Sequence, residues 1–360
     1  MEFSRFAAAE ADGETQKNER HVWRHCAAFR RRSGEGWMKY GASIALGLIF
    51  AFSQTIPVYA QPKPSLKTVV RATVSTTAVE WPDIIAKDKG FYEKEGLNVE
   101  HIMTSPTTIT PSLIGGTTQF GFINASQLVL AIEGGADLVA IGQGADPSPY
   151  SLMALSSIKS VNDLKGKTIS LAEPGDVYAE ATRDILRKAG LDPAKDVIFR
   201  YGGNSNQRMA AIMAGAVDAV PVVPPQDRML IDRGFNAIAF YPDYYPRLAL
   251  SLTAVRRPWA QQNPELVKAF LRAQAAAIQW LYDPANKKEA LELLAKETRS
   301  DVVAAEHGYN VYVTKLRMFP ENGCIQAPGM EVLMQVLSRV NKNVKADQPV
   351  NKYIDTQWCP

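Results

Sequence analysis

From residue 66 to residue 255 the chain repeats one rhythm: a short β-branched or apolar stretch, then a helical stretch that stops at glycine. Strands are predicted at Leu66–Thr76, Leu97–Ile102, Gln119–Ile123 and Leu138–Gly142. Between them, helices run over Pro82–Lys89, Thr110–Leu113 and Ser126–Glu133, closed by Gly90, Gly115-Gly116 and Gly134-Gly135. Proline in a first turn and glycine past the end are the expected asymmetry of helix termini. Strands that alternate with helices imply parallel sheets covered on both faces.

The rhythm then starts again. Strands are predicted at Ser151–Ser156, Thr168–Ala172, Val197–Tyr201, Val217–Val223 and Leu248–Val255. Helical stretches fall at Val161–Lys165, Ala179–Ala189, Gln207–Ala214 and Arg228–Arg233. Beyond 255 the chain turns helical. Asn263-Pro264-Glu265 reads as a helix start, with a cap, a proline and an acid in the first turn. Further helices fit Lys287–Thr298, Asp301–Thr314 and Met330–Asn341. The expectation is two α/β lobes, one inserted in the other: residues 61–150 with 247–360 form lobe 1, and 151–246 form lobe 2. Crossings near 145–157 and 241–250 then make a hinge. Open α/β sheets hold ligands at the C-terminal ends of their strands.

Residues 1–60 read as a signal region. Arg30, Arg31, Arg32 and Lys39 precede an uncharged run at 41–52, and Val58 and Ala60 supply small residues for cleavage before Gln61. That run is too short to span hydrocarbon, which takes about 20 apolar residues. Met38-Lys39-Tyr40 is itself a good signal start, so 1–37 is expected to be an over-called extension. Export of the mature chain to the periplasm follows. After residue 60 the chain keeps 32 basic against 31 acidic residues, which gives no footprint for nucleic acid. Cys324 and Cys359 remain in the mature chain, an even number for an oxidising compartment, so a disulfide between them is expected, with two isolated thiols as the alternative. No CxxC, His cluster or HExxH occurs, so neither a metal site nor a cofactor is expected.

Four stretches carry a resemblance. Trp81-Pro82-Asp83-Ile84-Ile85-Ala86-Lys87-Asp88-Lys89-Gly90-Phe91-Tyr92-Glu93-Lys94-Glu95-Gly96-Leu97 resembles the opening of ABC transporter periplasmic solute-binding proteins of the aliphatic-sulfonate, taurine and nitrate type. That superfamily also holds the thiamine-pyrimidine-precursor binders. Ser160-Val161-Asn162-Asp163-Leu164-Lys165-Gly166-Lys167 is similar to their entry into the second lobe, and Ala189-Gly190-Leu191-Asp192-Pro193 and Met213-Ala214-Gly215-Ala216-Val217-Asp218 match later signposts. These are scaffold positions and leave the ligand open. The resemblance implies a two-lobe periplasmic-binding-protein type II fold, each lobe a mainly parallel sheet flanked by helices. It also implies a monomer that closes on a small molecule and an ABC permease/ATPase complex as partner.

Four loops are expected to converge on the cleft. The first offers Thr76, Thr77 and the flat ring of Trp81, or Trp81 packs in the lobe core. The second offers Asn124 and Ser126, either as N-caps or as ligand contacts at a helix N-terminus. The third is Glu173-Pro174-Gly175-Asp176-Val177-Tyr178, where the resemblance implies small hydroxyl residues facing an anion and this chain has carboxylates. Asp176 either caps its helix or points inward, and pointing inward favours a neutral or amine-bearing ligand over a sulfonate. Tyr178 is placed to stack on a planar ligand. The fourth is Gly202–Asn206, with Asn204 and Asn206 as candidates. Pro221–Gln226 lacks the aromatic or acidic contact that relatives carry there. Tyr241, Tyr244 and Tyr245 line the hinge or pack at the interface. An enzyme on this fold is the chief rival, but the Cys-rich metal motif of fungal thiamine-pyrimidine synthases is missing. An exported sensor module is the second rival.

Overall fold

The computed structural model describes residues 65–73, 78–104 and 106–360. The expected signal region and the candidates Thr76 and Thr77 lie outside them. Among the described residues ten strands form two five-stranded sheets. The first holds β1 (Lys67–Thr73), β2 (Leu97–Met103), β3 (Phe120–Asn124), β4 (Leu138–Ala145) and β10 (Ser251–Arg256), in the order β2-β1-β3-β10-β4. The second holds β5 (Ser151–Ala154), β6 (Lys167–Leu171), β7 (Val197–Tyr201), β8 (Ala219–Val222) and β9 (Asn236–Phe240), in the order β7-β6-β8-β5-β9. The two orders are the same topology written twice. Four strands of each sheet run together and one runs against them: β10 in the first, β5 in the second. Each reversed strand is the first one after a crossing between sheets, because the chain enters its new lobe from the cleft side.

Helices α1 (Trp81–Asp88), α2 (Phe91–Lys94), α3 (Pro106–Ile114) and α4 (Ala125–Glu133) accompany the first sheet. Helices α5 (Val177–Lys188), α6 (Ser205–Met213) and α7 (Gln226–Ile231) accompany the second. The C-terminal stretch adds α8 (Arg257–Gln262), α9 (Pro264–Tyr282), α10 (Lys287–Thr298), α11 (Val302–Tyr309) and α12 (Ala327–Leu337), with a π-helical turn at Asn310–Lys315. Gly90, at φ +65, lets α1 turn into α2, a helix missed by the sequence reading as part of a turn. Strand β9 was also missed: its half-exposed residues give no clear alternation. Asn263 does not cap α9; its amide donates back to the Trp259 carbonyl at 2.8 Å, and Pro264 starts the helix without a side-chain cap.

Pro221 leaves a mark on the second sheet. It has no N–H to give, and β8 is paired with β6 only at Ala219 while β5 pairs along its other edge. Along the first sheet, the C-terminal tail covers the edge strand β4: Ala140 donates to Tyr353 and accepts from Asp355, each at 2.8 Å. Cys324 and Cys359 are joined by a disulfide, with Cα atoms 5.5 Å apart, and this bond fastens the tail to lobe 1. Among the described residues no helix is long and apolar enough to cross a membrane.

Candidate functional site

A cavity of about 600 Å³ lies between the two sheets. Topology puts it there. Thr104 follows β2, Asn124 ends β3, Ala172 follows β6, Gly202 follows β7 and Val223 follows β8, and all five line the cavity. The reversed strands contribute their opposite ends, Tyr150 just before β5 and Ser251 at the start of β10. Lobe 1 adds apolar bulk from Val79, Ile109, Phe122 and Leu250.

Lobe 1 also adds a buried acid. Glu80 sits between Val79 and Trp81, in the turn that enters α1, and accepts the hydroxyl hydrogen of Thr73. Burial pushes its carboxyl up to about 8, the Thr73 bond and Arg71 pull it down, and Asp83 pushes it further up. It therefore carries its proton at neutral pH and can donate into the cavity. Behind it, Asp83 is ringed by Arg71, Tyr92, His101 and Gln274. Burial alone would raise the Asp83 carboxyl, but Arg71 and the ring of donors outweigh it and hold it at about 2.

Lobe 2 answers with Asp176, Glu173 and Arg208. Asp176 is the N-cap of α5, accepting from the Tyr178 N–H at 3.4 Å, and it also faces lobe 1, 3.2 Å from Ser126 Oγ. The two expectations for Asp176 were alternatives; one oxygen, Oδ1, makes both contacts. Burial raises its carboxyl to about 6, Glu173 adds to the rise, and the Tyr178 and Ser126 hydrogen bonds and Arg208 oppose it. Ser126 Oγ also lies 2.6 Å from the Asn124 Oδ1 and has one hydrogen to give. A protonated Asp176 donates to Ser126 and frees that hydrogen for Asn124.

Arg208 stands one turn into α6, whose N-terminus is closed by a reciprocal cap between Asn204 and Gln207. The guanidinium donates to the Gly203 carbonyl at 2.8 Å, to Ser205 Oγ at 3.2 Å and to the Pro221 carbonyl at 3.4 Å, while Nε has no partner. It pins the turn that requires glycine: Gly203 has φ +81, and a Cβ there would sit 2.9 Å from Gln207. Further contacts join the lobes outside the cavity. Tyr178 donates to the Ala249 carbonyl at 2.9 Å, Tyr312 to the Pro224 carbonyl at 2.6 Å, and His307 Nε2 lies 3.1 Å from Asp227.

The structure brings Asn124, Ser126, Asp176 and Asn204 together in the cavity wall. It takes four other candidates elsewhere. Trp81 is 0% exposed, edge-on to Tyr309 in the core of lobe 1; burying so large a ring outweighs offering it to the cleft. Tyr178 is spent on the Ala249 bond and on packing against Tyr150. Gly175 opens onto a basin on the outer side of lobe 2, beside Arg183 and Arg187. Asn206 lines a neighbouring groove and accepts from Gln226. Tyr241 and Tyr245 pack at the crossing, bonded to Thr182 and Asp184. The sequence reading missed Glu80, Phe122, Tyr150, Arg208 and Ser251. Two left a signal: Glu80 is a charge between apolar neighbours at a strand exit, and Arg208 is the lone charge in α6.

The NMT1/THI5-like family model matches residues 79–287. The chain belongs to the NMT1/THI5-like family. The chain is 24% identical over 253 residues to the nitrate/nitrite binding protein NrtA of Nostoc sp., covering 62% of this chain and 56% of that one. It therefore spans only about half the length of that relative. It is 27% identical over 242 residues to a 4-amino-5-hydroxymethyl-2-methylpyrimidine phosphate synthase of Legionella pneumophila, covering 64% and 74%. Among solved structures, the periplasmic aliphatic sulphonate binding protein SsuA from Escherichia coli superposes with a TM-score of 0.62 at 19% identity, covering 78% of this chain and 88% of that one. The two-sheet α/β fold is thus that of the periplasmic binding proteins, and the family contains both binding proteins and enzymes.

Proposed function

We propose that this chain is the extracytoplasmic solute-binding component of an ABC importer, taking a small organic molecule into the cavity between its lobes. One observation carries the reading: the cavity is walled by strand ends of two separately folded sheets and is bridged by Ser126 and Asp176. A guest that touches both walls favours the form in which the lobes meet, and that shape is the signal a membrane partner reads. Export before residue 61 and a monomeric mature chain belong to the same proposal.

The test is a ligand screen on the mature chain with two readouts. A true solute raises the melting temperature, by mass action on the folded state, and changes the radius of gyration in X-ray scattering. A broad panel of sulfonates, nitrate, pyrimidines, amines and aromatic acids that moves neither readout removes the reading.

A second reading is favoured by the two carboxyls in the cavity wall with raised pKa, a feature that acid–base sites share. Mass spectrometry of the same incubations separates the two: a binding protein returns its ligand unchanged, and an enzyme does not.

A further inference from the structure

Resting on the solute-binding reading, we infer that the cavity selects a compact organic molecule with a positively charged or protonatable nitrogen, and rejects inorganic anions and sulfonates. The wall carries three carboxyl groups, Glu80, Glu173 and Asp176, against one cation, Arg208. They are spread over both lobes, so a guest between the lobes meets a carboxyl on either side, the Glu80 one protonated near neutral pH and able to ionise beside a cation. Arg208 keeps its charge, but its outer nitrogens are committed to the Gly203 and Pro221 carbonyls and to Ser205, so it offers a guest only Nε. An anion placed in this wall would face the Asp176 and Glu173 carboxylates, which oppose the donors that Arg208 Nε, Ser251 and Glu80 offer it.

Two further observations refine the ligand. Arg208, 4% exposed, keeps an unpartnered Nε, and Ser251, 5% exposed, keeps an unpartnered Oγ. Buried polar atoms without partners are rare and point to a group that arrives later. Nε can only donate, so the guest carries a hydrogen-bond acceptor besides its nitrogen. Phe122, Ile109, Val79 and Leu250 supply an apolar face for a ring or short chain. The volume is that of an organic ligand rather than of nitrate, since pockets for such molecules begin at roughly 300 Å³.

Binding is then coupled to protons. Glu80 faces Thr73 and Arg71 from β1 and Asp83 from α1. Asp176 faces Ser126 from α4, Arg208 from α6, Glu173 from its own loop and the Tyr178 N–H. A cation favours the ionised form of both acids, so it expels protons, and its affinity rises with pH up to about 6 through Asp176 and up to about 8 through Glu80. An anion would bind more tightly as pH falls.

The experiment uses probe pairs that differ only in the charge of the head group: benzamidine with benzenesulfonate, and butylamine with butanesulfonate, with nitrate alone. Melting temperature and calorimetric affinity of the mature chain are read at pH 6, 7 and 8. The expected result is that at least one cation binds at least about tenfold more tightly than its matched sulfonate. Its affinity rises with pH, and Asp176→Asn, which still caps α5, lowers that affinity about tenfold while the rise between pH 6 and 8, which belongs to Glu80, stays. A sulfonate or nitrate that binds more tightly than the cations overturns the inference and leaves the solute-binding reading standing. Failure of every cation also overturns it, and silence across the broader solute panel removes both.

Discussion

Lobe 1 and lobe 2 carry sheets of one topology, but they hold their cavity walls in different ways. Behind the lobe 1 wall lies the buried Arg71–Asp83 pair with Tyr92, His101 and Gln274, and the disulfide-fastened tail covers edge strand β4. The lobe 2 wall hangs on turns. Gly202 and Gly203 stand at φ +131 and +81, Arg208 holds the turn through the Gly203 carbonyl, and one part of the lobe rests on a small apolar cluster of Met153, Ile212, Val217, Val220, Val222 and Leu230. Such a wall is set by a few hydrogen bonds rather than by a charged core. The difference sets a wall backed by a buried ion pair, the more fixed of the two, against a wall held by turns, the more adjustable, and each wall carries one carboxyl raised by burial.

The sharpest test compares two buried arginines. Arg71→Met strips Asp83 of its cation and leaves a buried carboxylate, which costs about 3–5 kcal/mol. Arg208→Met leaves unpaired carbonyls and a hydroxyl but no buried carboxylate in a direct ion pair, which costs about 1–3 kcal/mol. Denaturant unfolding of both variants measures the difference. Equal losses would break the contrast between a charged core and a pinned turn.

The same contrast explains what could be read before any coordinates. Periodic patterns and glycine stops are local, so strands such as Val197–Tyr201 and helices such as Lys287–Thr298 were legible to the residue. Caps are local too, and Asn124, Asp176 and Asn204 were found because helix starts lie at strand ends, where the cavity is. Trp81 was misplaced because a ring near a strand exit looks the same whether it faces the cleft or the core; Tyr309, more than two hundred residues away, decides it. Arg208 and Ser251 were missed because their value depends on what stands opposite, and no local pattern states that.

Glu80→Gln tests the fixed wall through pH. In the folded chain the carboxyl titrates at about 8, above the usual value of 4.5 for a free glutamate. The stability linked to its proton is complete below about 4.5 and is lost as pH rises through about 8, because the folded state must then hold a buried charge. Glutamine cannot ionise. The variant should match the parent near pH 4.5, gain on it steadily up to about pH 8 and hold that gain above, by on the order of a few kcal/mol. A flat difference across that range would mean that the ligand-free cavity solvates Glu80 and that the lobe 1 wall is softer than its packing implies.

The smallest effect tests where the two walls meet. Ser126→Ala removes the one hydroxyl that reaches Asp176 across the cavity, a bond worth about 1 kcal/mol between closed and open lobes. Global unfolding should hardly register it, since Tyr178–Ala249 and Tyr312–Pro224 still join the lobes. A population set by lobe–lobe contacts should register it, as a larger radius of gyration for the ligand-free variant in scattering. The effect should grow at pH 5, where a protonated Asp176 donates to Ser126 and both acceptors are satisfied in the parent. If the variant and parent scatter alike at both pH values, closure is carried by the contacts outside the cavity. The adjustable wall of lobe 2 would then sense its ligand without moving in response to it.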